Sequence, residues 1–183
     1  MSIYTKNGDA GTTSLINEIS VSKADERIEL LGTIDELSSY IGFVKVIAEE
    51  SLKERLSEIQ EDLMLIMAGI ADTTNIDYII EEEKIKKLED EIDNIESSFA
   101  RKKEFVLYGD CELSARLDLA RAVTRRAERC LARVNLCYEL NINTTIYMNR
   151  LSEYLYILAR FEDQKKGWKK FKNIGWQLKN ALV

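Results

Sequence analysis

Six of the chain's 11 arginines fall between residues 116 and 133: Arg116, Arg121, Arg125, Arg126, Arg129 and Arg133. Arg121, Arg125 and Arg129 are spaced by four, so on a helix they line one face, with Glu128 beside them. Guanidinium grips phosphate or carboxylate with two parallel donors, and such a row in an acidic chain points to an anionic ligand. The alternative is a solvated face laced with intrahelical ion pairs. A second donor-rich stretch is Thr5-Lys6-Asn7-Gly8-Asp9-Ala10-Gly11-Thr12-Thr13. Its glycines let backbone N–H groups converge on an anion, and its hydroxyls and Lys6 add donors. It lacks the Gly-Lys-Ser/Thr ending of a P-loop and the dinucleotide Gly-x-Gly-x-x-Gly, and a plain mobile terminus is the competing account. In Thr33-Ile34-Asp35-Glu36-Leu37, Asp35 lies among apolar residues, where a carboxylate is normally paired; otherwise it is an ordinary exposed acid. In Tyr147-Met148-Asn149-Arg150-Leu151-Ser152, Asn149 and Arg150 open an apolar helix, with capping and solvation as the plain alternative.

Composition narrows the chemistry these residues can do. The 183 residues include no histidine and no proline. Without histidine there is no Ser-His-Asp or Cys-His unit, no imidazole metal ligand and no histidine pH switch. Reactions must run on carboxylates, arginine, lysine, hydroxyls, thiols or a cofactor. The net charge of -6 argues against general nucleic-acid binding. Three cysteines, Cys111, Cys130 and Cys137, show no CxxC spacing, which fits a reduced compartment rather than a disulfide framework or zinc site. The N-terminus has no apolar core of a signal peptide, and no apolar run approaches the ~20 residues of a membrane span. The expectation is a soluble cytoplasmic protein.

The elements that must position these residues are helical. One domain is expected over residues 1–183: an N-terminal loop segment over 1–25, a helical bundle over 26–163 and a basic aromatic tail over 164–183. Ile28, Leu31, Ile34, Leu37, Ile41 and Val44 recur at spacings of three and four and predict a first helix from Asp25. Gly32 and Gly42 interrupt it, each at a cost of about 1 kcal/mol against alanine, which suggests close approach of a partner element or ligand. Further helices are predicted over 52–72, 81–98, 112–136 and 144–163. The third has a narrow stripe, Ile85, Leu88, Ile92 and Ile95, on an otherwise charged surface. The fold class expected is all-α, a five-helix antiparallel bundle in ferritin-like up-down order.

Taken together and in this order, these stretches resemble the PduO-type ATP:cob(I)alamin adenosyltransferases over nearly the whole chain. The resemblance rests on Tyr4 to Thr13, Gly32-Thr33-Ile34-Asp35-Glu36-Leu37, Phe105-Val106-Leu107, Ala120 to Arg129, and Asn149-Arg150-Leu151-Ser152-Glu153-Tyr154. It implies a homotrimer with sites at subunit interfaces that makes adenosylcobalamin from ATP and a reduced corrinoid. It further implies that Thr5, Lys6, Asn7, Gly8, Thr12, Thr13, Lys23, Arg125, Arg126, Glu128, Arg129 and Asn149 bind ATP. Arg125, Arg129, Glu128 and Phe105 would be catalytic, with Glu128 near Mg²⁺. Asp35 and Arg121 would bridge subunits beside the corrin, and Phe105 would cap its lower face. A flavoprotein reductase and an adenosylcobalamin-dependent acceptor enzyme are implied as partners.

The chain departs from the family pattern at Tyr108-Gly109-Asp110, where Pro-Gly-Gly is usual. It also departs at Asp118, where histidine is common, at Ala10, where lysine is common, and after Leu15, where a Gly-Gly-Glu-Arg-like stretch is missing. Two other readings remain. One is a corrinoid- and ATP-binding chaperone or sensor with little turnover. The other is a helical scaffold whose arginine row binds an acidic partner.

Overall fold

The computed structural model describes residues 4, 6, 8–16, 19–100 and 106–167. Five helices account for most of them: α1 (Glu26–Lys45), α2 (Glu50–Ala71), α3 (Glu82–Ser98), α4 (Glu112–Val134) and α5 (Ile142–Lys165). Their ends follow local chemistry. The Asp25 carboxylate accepts from the N–H of Arg27 at 2.9 Å and caps α1. Cys111 and Ser114 cap α4 reciprocally, Ser114 N–H donating to Sγ at 3.4 Å and Cys111 N–H to the serine hydroxyl at 3.2 Å. The Asn141 side chain accepts from Asn143 N–H at 2.8 Å, so α5 starts there. Asn149 and Arg150 therefore sit two turns inside α5 and do not open it, as the sequence had suggested.

A short antiparallel hairpin precedes the bundle. β1 (Thr12–Ser14) pairs with β2 (Ser20–Ser22), Thr13 opposite Val21. The sequence reads as loop here, because strands of three residues are too short for a period-two pattern to register. Leu15 anchors the hairpin by burial, whereas Ile16 and Tyr4 are exposed.

Side-chain pairs fix the helix directions. Thr33 meets Cys130 and Glu36 meets Arg126, so α1 and α4 are antiparallel. Asp118 meets Arg160 and Arg125 meets Ser152, which does the same for α4 and α5. Consecutive helices alternate up and down, as expected. Five helices cannot alternate all the way around a closed bundle, and the exception is α3 against α5. Ile80 pairs with Asn143, Glu89 with Arg150, and Phe99 with Phe161, so these two run parallel. The core is aliphatic. Leu37, Ile41, Leu63, Leu151 and Leu155 are fully buried, each contributing about 1.5–3 kcal/mol. On α3 only Ile85 and Leu88 are buried, and charged pairs to α2 supplement this thin stripe. Arg55 meets Glu91 at 2.8 Å, Lys87 meets Glu58 at 2.6 Å, and Lys84 meets the buried Asp62. Among the described residues no helix is long and apolar enough to cross a membrane.

Candidate functional site

The arginine row on α4 lies against the start of the middle third of α5. Arg125 Nη1 donates to Ser152 Oγ at 3.5 Å, and Arg129 Nη1 donates to the Arg125 carbonyl at 2.9 Å. Ser152 in turn donates to the Asn149 carbonyl at 2.9 Å. With its amide oriented so that both ends are satisfied, Asn149 donates to Glu128 Oε1 and accepts from Arg150, each at 3.3 Å. The spacing that put Arg125, Glu128 and Arg129 on one α4 face thus brings them to Asn149, one helix away.

Glu128 is the electrostatic centre of this seam. Burial pushes its carboxyl above the ordinary glutamate range, with Glu153 adding to the effect, while Arg125, Ser152 and Arg129 pull it down. Its Oε2 is buried without a hydrogen-bond partner. An acceptor held beside two guanidiniums with one oxygen unsatisfied is suited to a cation arriving with an anionic ligand. Among the described residues no group of three or more His, Cys, Asp or Glu could hold a metal ion alone.

One turn toward the α4 N-terminus, Arg121 and Arg125 open onto a cleft of about 450 Å³ between α3, α4 and α5, with Ile92, Ser152, Tyr156 and Ile157 among its other walls. Arg121 Nε donates to Asp118 at 3.0 Å and its guanidinium lies 4.8 Å from the centre of the Tyr108 ring. Arg126 points elsewhere, to Glu36 on α1. The expectation that it binds ATP meets a guanidinium already engaged within the chain.

The N-terminal stretch folds back on itself. Lys23 N–H donates to the Gly11 carbonyl at 2.9 Å, closing the hairpin base. A Cβ at Gly8 would sit 3.0 Å from Lys23 Nζ, so the lysine side chain packs directly over this glycine. Gly11 has φ 84°, the left-handed conformation that favours glycine. Lys6 and Thr12 are exposed and Thr13 is half-buried, giving a donor-rich surface around Gly8 and Lys23. Among the described residues no ion pair joins this hairpin to the arginine row.

Asp35, set among apolar residues in the sequence, faces outward from α1 and is exposed, so within one chain it is the ordinary surface acid of the two alternatives. Its neighbours Ile34 and Leu37 take the buried positions. Gly32, one turn earlier, is exposed too, with open space where its Cβ would be. Thr5, Asn7 and Phe105 lie outside the described residues, as does the tail from Trp168 onward. Sequence reasoning missed Ser152 and Tyr156 as site-lining residues and Arg160 altogether. The available signal for Arg160 was a lone charge in the apolar run Leu155 to Phe161.

Comparison with known proteins gives this geometry a context. The family described as Cobalamin adenosyltransferase matches residues 3–162. The chain is 40% identical over 170 residues to the corrinoid adenosyltransferase PduO of Salmonella typhimurium, covering 89% of this chain and 50% of that protein. It is 37% identical over 166 residues to a corrinoid adenosyltransferase of Citrobacter freundii, covering 88% of this chain and 94% of the other. The chain therefore spans half the length of the first relative and nearly all of the second. Among solved structures it is similar to a single-residue variant of a PduO-type ATP:corrinoid adenosyltransferase from Lactobacillus reuteri, complexed with cobalamin and ATP. That match has a TM-score of 0.85 at 32% identity, over 90% of this chain and 92% of that one.

Proposed function

The chain belongs to the cobalamin adenosyltransferase family, and from that premise we propose that it is an enzyme that transfers the 5′-deoxyadenosyl group of ATP to the cobalt of a reduced corrinoid, releasing triphosphate. The observation that carries this reading is the seam of Arg125, Glu128, Arg129, Asn149 and Ser152, with Glu128 Oε2 buried and unpartnered inside it.

The reaction asks little acid–base chemistry of the protein, which suits a chain without histidine. The nucleophile is the reduced cobalt of the substrate. It attacks the 5′ carbon of ATP, and negative charge grows on the departing triphosphate. Arg125 and Arg129 would meet that charge with preorganised donors. The hairpin residues Lys6, Gly8, Thr12, Thr13 and Lys23, together with Thr5 and Asn7, would hold the nucleotide. Glu128 and Asn149 fit a magnesium ion that takes most of its oxygens from the phosphates and water, and that ion would offset triphosphate charge. Holding cobalt and carbon in line supplies the large gain that comes from orientation. Arg121 and the cleft beside it are assigned to the corrin side, with Phe105 excluding water beneath the cobalt.

A homotrimer completes the reading. Within one chain the hairpin and the arginine row are not joined by an ion pair, and α1 turns Gly32 and Asp35 outward with no partner for the carboxylate among the described residues. Phe43 and Leu119, on α1 and α4, are 45% and 48% exposed. These features support a second chain packed on the α1–α4 face, with its Arg121 reaching Asp35. The test is steady-state turnover with ATP, magnesium and reduced cobalamin. Growth of the adenosylcobalamin spectrum with one triphosphate per corrinoid is expected; binding of both substrates without product would select the chaperone reading instead.

A further inference from the structure

Arg160, on α5, is the most deeply buried charge in the bundle, with no exposed surface, and no role has been assigned to it above. Its Nη2 meets Asp118 at 2.5 Å on α4 and Asp163 at 2.9 Å on its own helix. The second Asp118 oxygen takes Arg121 Nε at 3.0 Å. Two guanidiniums and two carboxylates therefore cancel in charge, which makes the burial tolerable. Burial pushes the Asp163 carboxyl above its ordinary range, opposed by Ser114 and Arg160 and reinforced by Asp110 and Asp118. Arg160 Nε and Nη1 make no hydrogen bond. What covers the guanidinium is aromatic: the Tyr108 ring centre is 5.2 Å away and the Tyr156 ring centre 5.3 Å.

One ring lines the cleft and the other backs a residue that does. Tyr156 lines it, and Tyr108 lies against Arg121, which also lines it. Tyr108 is otherwise 57% exposed, on a segment that turns through Gly109 (φ 96°) into the Cys111 cap of α4. Two guanidiniums, those of Arg121 and Arg160, lie against its ring. A planar guanidinium can present its faces to both rings while its edge bonds a carboxylate; an ammonium, a compact point charge, has no face to stack.

We propose that Arg160 is a positioning residue for the corrinoid: through its contact with Tyr156, and through Asp118 and Tyr108 to Arg121, it sets two groups on the cleft wall, Tyr156 and Arg121, without touching substrate. The inference rests on reading the cleft as the corrin side of the site. Arg125 lines the same cleft, but among the described residues Arg125, Glu128 and Asn149 share no hydrogen bond or ion pair with the Asp118–Arg160–Asp163 group, so the effect should fall on the corrinoid rather than on ATP.

The experiment compares Arg160→Lys, Tyr108→Ala and their double variant. Lysine keeps the charge beside Asp118 and Asp163, which an apolar replacement would leave buried and unpaired, but offers no planar face. In the unliganded protein, hydrogen exchange of the amides at 106–111 should speed up in both single variants while central α4 and α5 amides stay unchanged. The KM for corrinoid should rise about tenfold, the sum of two modest cation–ring contacts, with the KM for ATP within about twofold of the parent. The double variant should be no worse than the poorer single one. Unchanged exchange in Arg160→Lys, a parallel rise of both KM values, or additive losses would each overturn the proposal. If the parent protein makes no adenosylcobalamin, the proposed function fails. The exchange comparison then still decides whether Arg160 seats the Tyr108 ring.

Discussion

Glu128, proposed above to meet a cation that arrives with the nucleotide, would trade stability for that ligand. Its folded-state carboxyl titrates above its unfolded value, chiefly through burial. The folded chain therefore binds its proton more readily than the unfolded chain does, and the associated stability is present at low pH and lost as pH rises through the folded value. Glu128→Gln removes that liability. The unliganded variant should melt higher than the parent at pH 7, with the difference shrinking as pH falls to the ordinary carboxyl range, while turnover with Mg-ATP drops. Melting curves across pH, paired with turnover, check both halves; a variant that melts lower at pH 7 would show that the seam is satisfied without a cation. The spacing of Arg125, Glu128 and Arg129 made them legible in the sequence, because a repeat of three and four fixes one helical face. Arg160 was legible only as a lone charge in an apolar run, and its contacts were not. Its partners lie 42 residues away on α4 and on a tyrosine-bearing turn, and no spacing rule on α5 alone separates a buried guanidinium from a surface one.

The elements are of two kinds, and the sequence revealed them unequally. Helix stripes such as Leu56, Ile59, Leu63 and Ile66 on α2 give clear boundaries, since the aliphatic face that defines them is also what packs. The hairpin has almost no such face, with Leu15 its buried anchor, and it forms through backbone pairing that composition does not announce. The α2–α3 contact is held differently again. Tyr147 from α5 donates to the buried Asp62 at 2.8 Å, and Lys84 from α3 meets the same carboxylate. Burial and Asp62 together drive the Tyr147 hydroxyl well above the usual tyrosine range, so it remains a donor. Tyr147→Phe leaves one Asp62 oxygen unsatisfied in the interior and should cost about 1–3 kcal/mol. Urea unfolding measures it, and a loss below a few tenths would mean that water reaches Asp62 and that the polar contacts do not hold the helices.

At the scale of the whole molecule, the proposed nucleotide site would be divided between subunits. Among the described residues no ion pair joins the donor-rich hairpin to the arginine seam, while α1 presents Gly32 and Asp35 outward. If each site takes its hairpin from one subunit and its seam from the next, two inactive variants can rescue each other. Co-expressed Lys23→Ala and Arg125→Ala chains, mixing at random, give about one site in four with both halves intact. Recovered activity near that fraction is the expected outcome, whereas no recovery would mean that both halves act within one chain. The acidic composition and missing histidine, which first only subtracted mechanisms, agree with a site whose nucleophile belongs to the substrate and whose cations are concentrated where triphosphate leaves. The most direct measurement of that claim is single-turnover adenosylation with chemically prepared cob(I)alamin and saturating Mg-ATP, in the parent and in Arg125→Ala. The account predicts rapid adenosylcobalamin formation in the parent and a rate lower by about 100- to 1,000-fold in the variant. Equal rates in the two would contradict it, leaving the arginine row as a solvated helix face.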